Sequence, residues 1–228
     1  YELLNFLKYF PDAKLLMTVR EPLQNLEALI PSGDSSANYT SLYGHVLEML
    51  HLFSRTEFGL CDSAGIRLED LKNETGETLR RLSTWIEVEP SDTMGQSTMQ
   101  GLKWWGEPGG ATHGGKDQFD KSAITRKVGK SFSERDRFIL GTLFYPLSRL
   151  HGYVEEDDAG FAKALDDIAP LLDEPFDFER ALWEKAGHKP EDVRKTTRYR
   201  YLRLALRKRW EILRQQGTYP AMIPPLPL

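Results

Sequence analysis

The 228-residue chain is poor in the residues that several classes of chemistry require. It has one cysteine, Cys61, so no intrachain disulfide can form and no oxidising compartment is called for. Its five histidines do not cluster, and neither Cys-x-x-Cys nor His-Glu-x-x-His occurs, so no metal site is expected. A Gly-x-Ser-x-Gly nucleophile elbow, a dinucleotide fingerprint and a Walker lysine are all missing. No apolar run is long enough to span a bilayer. Charge is nearly balanced: 30 Lys and Arg against 34 Asp and Glu leave a formal charge of -4, which gives no global pull towards nucleic acid.

What is present suits a globular core, with 40% hydrophobic residues. Tyr1 to Phe10 has the spacing of an amphipathic helix, with Leu3, Leu4, Leu7 and Phe10 on one face. Pro11-Asp12 breaks it, and Lys14 to Val19 reads as a buried strand that stops at Arg20 and the turn proline Pro22. Helices are expected over 23–29 and 39–53, and a second strand over Ser63 to Glu69. Thr75 reads as the N-cap of a helix to about Ile86. Glu87 to Ser122 is glycine-rich and low in periodicity, as a functional loop or a disordered segment would be. Ser133 caps the next helix, which runs to Leu150 and ends at Gly152.

Beyond Tyr153 the chain reads as helices over 158–172, 177–186 and 190–216, followed by an extended proline-rich tail. The last helix carries Arg194, Lys195, Arg198, Arg200, Arg203, Arg207, Lys208, Arg209 and Arg214, interleaved with Tyr199, Leu202, Leu206 and Trp210. It reads either as a surface for an acidic partner, a polyanionic substrate or a membrane, or as a helix with one buried stripe and a solvated basic face.

Two stretches together resemble a known family. They are Lys14-Leu15-Leu16-Met17-Thr18-Val19-Arg20-Glu21-Pro22 and Ile66-Arg67-Leu68-Glu69-Asp70-Leu71-Lys72. The first is similar to the Val-Arg-x-Pro strand end, and the second to the Tyr-Glu-Asp-Leu strand end, of sulfotransferases that use 3′-phosphoadenosine 5′-phosphosulfate (PAPS). The order continues through Glu69 to Trp85, then through a basic-glycine loop, a Ser-x-x-Asp helix start and Gly152-Tyr153. The likeness covers roughly the first two thirds of the chain.

The resemblance implies an α/β, P-loop-kinase-like fold with parallel strands flanked by helices. Residues 1–153 would form its C-terminal part, and residues 154–228 an α-helical appendage with a basic last helix and a proline-rich tail. The family's glycine-rich phosphosulfate loop is not found ahead of the arginine strand, so the chain is expected to be a piece lacking the first part of the fold. Two further positions depart from the pattern. Ala28 stands where the family has a phosphate-binding serine, and Leu68 where it has a tyrosine beside the adenine.

The implied function is transfer of a sulfuryl group from PAPS to a hydroxyl or amine of a small-molecule or carbohydrate acceptor, with no metal. The alternative is an inactive sulfotransferase-like scaffold, or a module acting through the basic helix. Arg20 would grip the donor's 3′-phosphate; read without the resemblance, it is a surface arginine after a strand. Arg126, Lys127 and Gly129 would fold over the same phosphate, or form a solvated basic loop. Trp104, Trp105 and His113, in the loop Gly101 to Gly115, would face the acceptor, although one indole can equally anchor the loop to the core. Glu69 and Asp70, taken as neighbours on a strand, would point to opposite faces and form no carboxylate dyad. The catalytic base is not assigned. A cytoplasmic location is expected. The sequons Asn38-Tyr39-Thr40 and Asn73-Glu74-Thr75 keep the Golgi lumen as an alternative, although chance gives about one in a chain of this length.

Overall fold

A computed structural model describes residues 2–29, 59–96 and 131–227, together with positions 46, 48, 50, 98–99, 102–103, 121 and 124–125. In chain order its elements are α1 (Glu2–Tyr9), β1 (Leu15–Val19), α2 (Pro22–Leu29), β2 (Ser63–Arg67), α3 (Leu68–Asn73) and α4 (Thr75–Ile86). The hairpin strands β3 (Thr98–Met99) and β4 (Leu102–Lys103) come next. Then follow α5 (Glu134–Leu150), α6 (Asp158–Ile168), α7 (Asp177–Lys185), α8 (Pro190–Lys195) and α9 (Thr197–Gln216). The class is α/β, mostly helical, with a small parallel sheet.

The chain divides into two compact units. Unit 1 comprises Tyr1–Arg20, Cys61–Arg126 and Ile223–Leu228; unit 2 comprises Glu21–Leu60 and Lys127–Met222.

In unit 1, β1 and β2 pair in parallel, with Leu15 opposite Ser63 and Val19 opposite Arg67. β2 is buried from Ser63 to Ile66, as a strand covered on both faces should be. Its other edge is taken by the C-terminal tail: the Gly65 N–H donates to the Pro224 carbonyl at 2.7 Å, and the Leu226 N–H donates to the Gly65 carbonyl at 2.9 Å. Leu226 joins Ala64 and Ile66 in a small core with Leu71, Leu82 and Trp85. Lys14, just ahead of β1, reaches the end of α4, where its Nζ bonds the Trp85 carbonyl and the Glu87 carboxylate at 2.7 Å.

Two local expectations are corrected here. The second strand stops at Arg67, and Glu69 and Asp70 lie in the first turn of α3 instead of on a strand. Leu-Glu-Asp-Leu-Lys is built of good helix formers, and its two carboxylates suit the positive end of a helix. Thr75 is the first helical residue of α4, not its cap; Glu74 holds that position, and the Thr75 hydroxyl donates to the Leu71 carbonyl at 2.7 Å.

Unit 2 is organised around α5. Ser133 caps it as expected, accepting from the Asp136 N–H at 3.1 Å. Ile139, Leu140, Leu143 and Phe144 pack against Leu26 of α2, Phe161 and Leu165 of α6, Trp183 of α7, and Leu202 and Leu206 of α9. Helices on either side of position 153 thus share one core. The positions at 46, 48 and 50 are helical, with Val46 and Leu50 in this core; the rest of the helix expected over 39–53 lies outside the described residues.

The helix expected over 190–216 is two helices. Thr196 is extended, at φ -68° and ψ 144°. Its hydroxyl donates to the Val193 carbonyl at 2.7 Å and accepts from the Tyr199 N–H at 3.3 Å, closing α8 and opening α9 with one side chain.

The basic face expected on α9 is exposed at Arg198, Arg200, Lys208 and Arg214, but Arg203 and Arg209 depart from it and are buried. Arg203 pairs with the buried Glu179, donates to the Glu174 carbonyl and lies over the rings of Phe176 and Tyr199. Arg209 lies over Tyr219. Arg207 pairs with Asp173, and Arg214 with Asp166 at 3.1 Å.

Candidate functional site

Unit 1 brings two arginines to the carboxyl edge of its parallel sheet. The apolar run Leu15–Val19 holds β1 in the sheet, and Arg20 follows it by one residue. Arg67 ends β2, in register with Val19. Strand alternation starts Arg20 from the face opposite that of Val19 and Arg67. Each arginine is half-buried, with its Nε shielded from solvent. Asp70, one turn into α3, lies 3.6 Å from the Arg67 Nε and offsets part of its charge. The carboxyl edge is where open α/β sheets bind ligands. This edge of the sheet therefore carries two arginines, the residue type whose planar fork matches phosphate oxygens.

Arg20 is the predicted site residue that the described structure locates. Arg67 has no motif of its own in the sequence; its one signal is a strand that ends in arginine ahead of two carboxylates. Leu68 is the half-buried first residue of α3. Arg126, Lys127, Gly129, Trp104, Trp105 and His113 lie outside the described residues.

The start of α2 belongs to unit 2 and is occupied by the chain itself. Pro22 takes the first helical position, where its missing N–H costs nothing. The Glu21 carboxylate accepts from the N–H groups of Leu23 at 3.1 Å and Gln24 at 2.6 Å. Ala28, on the same helix, is half-buried.

A second concavity, of about 440 Å³, lies within unit 2 among Arg149, Asp158, Phe161, Leu165, Leu213 and Arg214. Its cations are paired within the chain, Arg149 with Glu156 and Asp158, and Arg214 with Asp166. Burial pushes the Cys61 thiol above its ordinary pKa, which disfavours the thiolate a nucleophile would need. Among the described residues no group of His, Cys, Asp and Glu could hold a metal ion, and no helix is long and apolar enough to cross a membrane. Compared with known proteins, the chain matches no family model, no curated protein and no solved structure.

Proposed function

We propose that the chain belongs to a PAPS-dependent sulfotransferase, with Arg20 holding the donor's 3′-phosphate. The observation that carries this reading is the place of Arg20, directly after a parallel strand and beside a second strand-terminal arginine. It agrees with the Val-Arg-x-Pro and Glu-Asp-Leu likeness in order along the chain. The donor is a polyanion, and the transferred group stays anionic in the transition state, so cations at its oxygens lower the barrier. In the reaction an acceptor oxygen or nitrogen forms a new bond to sulfur. The bond from sulfur to the bridging phosphate oxygen breaks, and 3′,5′-adenosine bisphosphate leaves with that electron pair. The acceptor's proton passes to a base. A planar guanidinium can grip the 3′-phosphate through two parallel N–H bonds.

Calorimetry with 3′,5′-adenosine bisphosphate on the full-length protein tests the proposal. Wild type should bind, and Arg20→Ala should bind about 2 kcal/mol more weakly, the scale of a lost charge-assisted contact. Equal affinities would remove Arg20 from the site. A second reading, a sulfotransferase-like scaffold without activity, is favoured by Ala28 and Leu68, where the family's ligands are replaced. It predicts no binding heat in either protein.

A further inference from the structure

The segment Ile223 to Pro227 meets unit 1 in the manner of a bound peptide. Ile223 and Leu226 are buried, whereas Pro224, Pro225 and Pro227 are exposed. Two anchors three residues apart on one face match the threefold turn of a polyproline II helix. The backbone is read in the same register. Pro224 offers its carbonyl to the Gly65 N–H, and Leu226, which has an N–H, donates it to the Gly65 carbonyl. Arg81, on α4, donates from Nε to the Pro227 carbonyl at 2.9 Å and from Nη2 to the Leu226 carbonyl at 2.5 Å. Every backbone bond required of a proline here uses its carbonyl, so prolines pre-order the segment without costing a contact.

We infer that the edge of β2, Arg81 and the apolar slot for Leu226 form a binding site for an extended proline-rich strand, and that the tail of a second copy of this chain can fill it in exchange for the chain's own. The argument for that occupant is the sequence itself. Apolar-Pro-Pro-apolar-Pro is the pattern the site reads, and each copy carries it at 223–227. The segment leaves unit 2 at the Met222–Ile223 peptide bond. Strand addition of this kind draws affinity from main-chain bonds and specificity from alternate pockets.

A labelled peptide of residues 221–228 is titrated into three full-length proteins: wild type, Leu226→Asp, and Leu226→Asp combined with Arg81→Ala. Leu226→Asp spoils the chain's own tail and leaves the site intact, so it should bind the peptide about tenfold or more tightly than wild type, whose tethered tail competes at a high effective concentration. The double variant should lose that binding. Equal affinity of the single and double variants would overturn the proposal. Wild type supplies an independent arm should Leu226→Asp fail to fold. Its Gly65 amide should exchange with solvent faster than the amides on the β1 side of the sheet, and added peptide should slow that exchange. Exchange of Gly65 only at the rate of global unfolding would show a tail that never leaves, and would overturn the exchange of tails between copies.

Discussion

Asp136→Ala should be among the most destabilising polar substitutions in unit 2. Asp136 is fully buried on α5, and its carboxylate accepts the first two N–H groups of α7, from Asp177 at 2.8 Å and from Phe178 at 3.0 Å. It thus caps a helix to which it does not belong. The Ser133 hydroxyl donates to Asp177 at 2.6 Å, and the Arg135 guanidinium lies 3.6 Å from Asp177. Removing the carboxylate leaves two buried donors unmet, at roughly 1–3 kcal/mol each before relaxation. Water entering beside α7 recovers part of this, so the net loss should be about 3 kcal/mol. For a chain of this size that lowers Tm by about 6–12 °C.

Asp136→Asn keeps one acceptor oxygen and should lose about half as much. The pH dependence separates the two effects. Burial raises the Asp136 carboxyl above its ordinary value, against the opposing pull of the Asp177 and Phe178 N–H groups. The folded protein therefore holds this proton more tightly than the unfolded chain does. Asp136 contributes most below its unfolded value of 3.8 and progressively less as pH rises from there through its folded pKa. Stability of wild type relative to Asp136→Asn should fall across that window, by thermal denaturation at several pH values. A Tm loss under about 2 °C for Asp136→Ala, or equal losses for Ala and Asn, would refute the capping argument.

Arg203→Ala should cost about 3–5 kcal/mol, because Glu179 is then buried without its cation, and urea denaturation should recover much of that loss in Arg203→Met combined with Glu179→Gln. The exposed Lys14–Glu87 pair predicts a plateau with two limbs. The Glu87 carboxyl is held below 4.5 by the Lys14 ammonium, so its contribution is lost as pH falls through the depressed value; the Lys14 ammonium is held above 10.5 by Glu87, so its contribution is lost as pH rises through the raised one. Lys14→Met should remove both limbs from the pH–stability curve, and limbs that survive would assign them to other groups.

The sequence disclosed elements whose signals are local. β1 was legible because an apolar run ends at Arg20 and Pro22, and α5 because Ser133 precedes two first-turn acids. Glu69 and Asp70 were misplaced because Leu-Glu-Asp-Leu can close a strand or open a helix, and the strand ladder decides which. Thr196 was passed over because the alternation of Arg and Leu continues on both sides of it, while its hydroxyl competes with the helix for backbone partners. The burial of Arg203 follows from Glu179, on another helix, and periodicity carries no trace of such a partner. Prolines marked the tail as extended, but its register against Gly65 depends on a partner far earlier in the chain. At the candidate site, Arg20 has a motif around it, whereas Arg67 stands at the same sheet edge only through the pairing of β1 with β2, which no local pattern displays.

The chain passes between the two units four times, after residues 20, 60, 126 and 222. This orders events during synthesis. β2 can meet β1 as soon as both are made, but its other edge waits for the tail while 155 residues, 68–222, are added. At ordinary translation rates that interval is about 10–30 s. During it the Gly65 N–H and carbonyl face outward from a strand that carries Ala64 and Ile66, an invitation to pairing with a neighbouring nascent chain. The prolines that finally close the edge also end its capacity to grow, since Pro225 has no N–H to offer a further strand. A shortened or slowly completed tail should therefore show itself first as lower yield of unaggregated protein, before any loss in the stability of molecules that have folded.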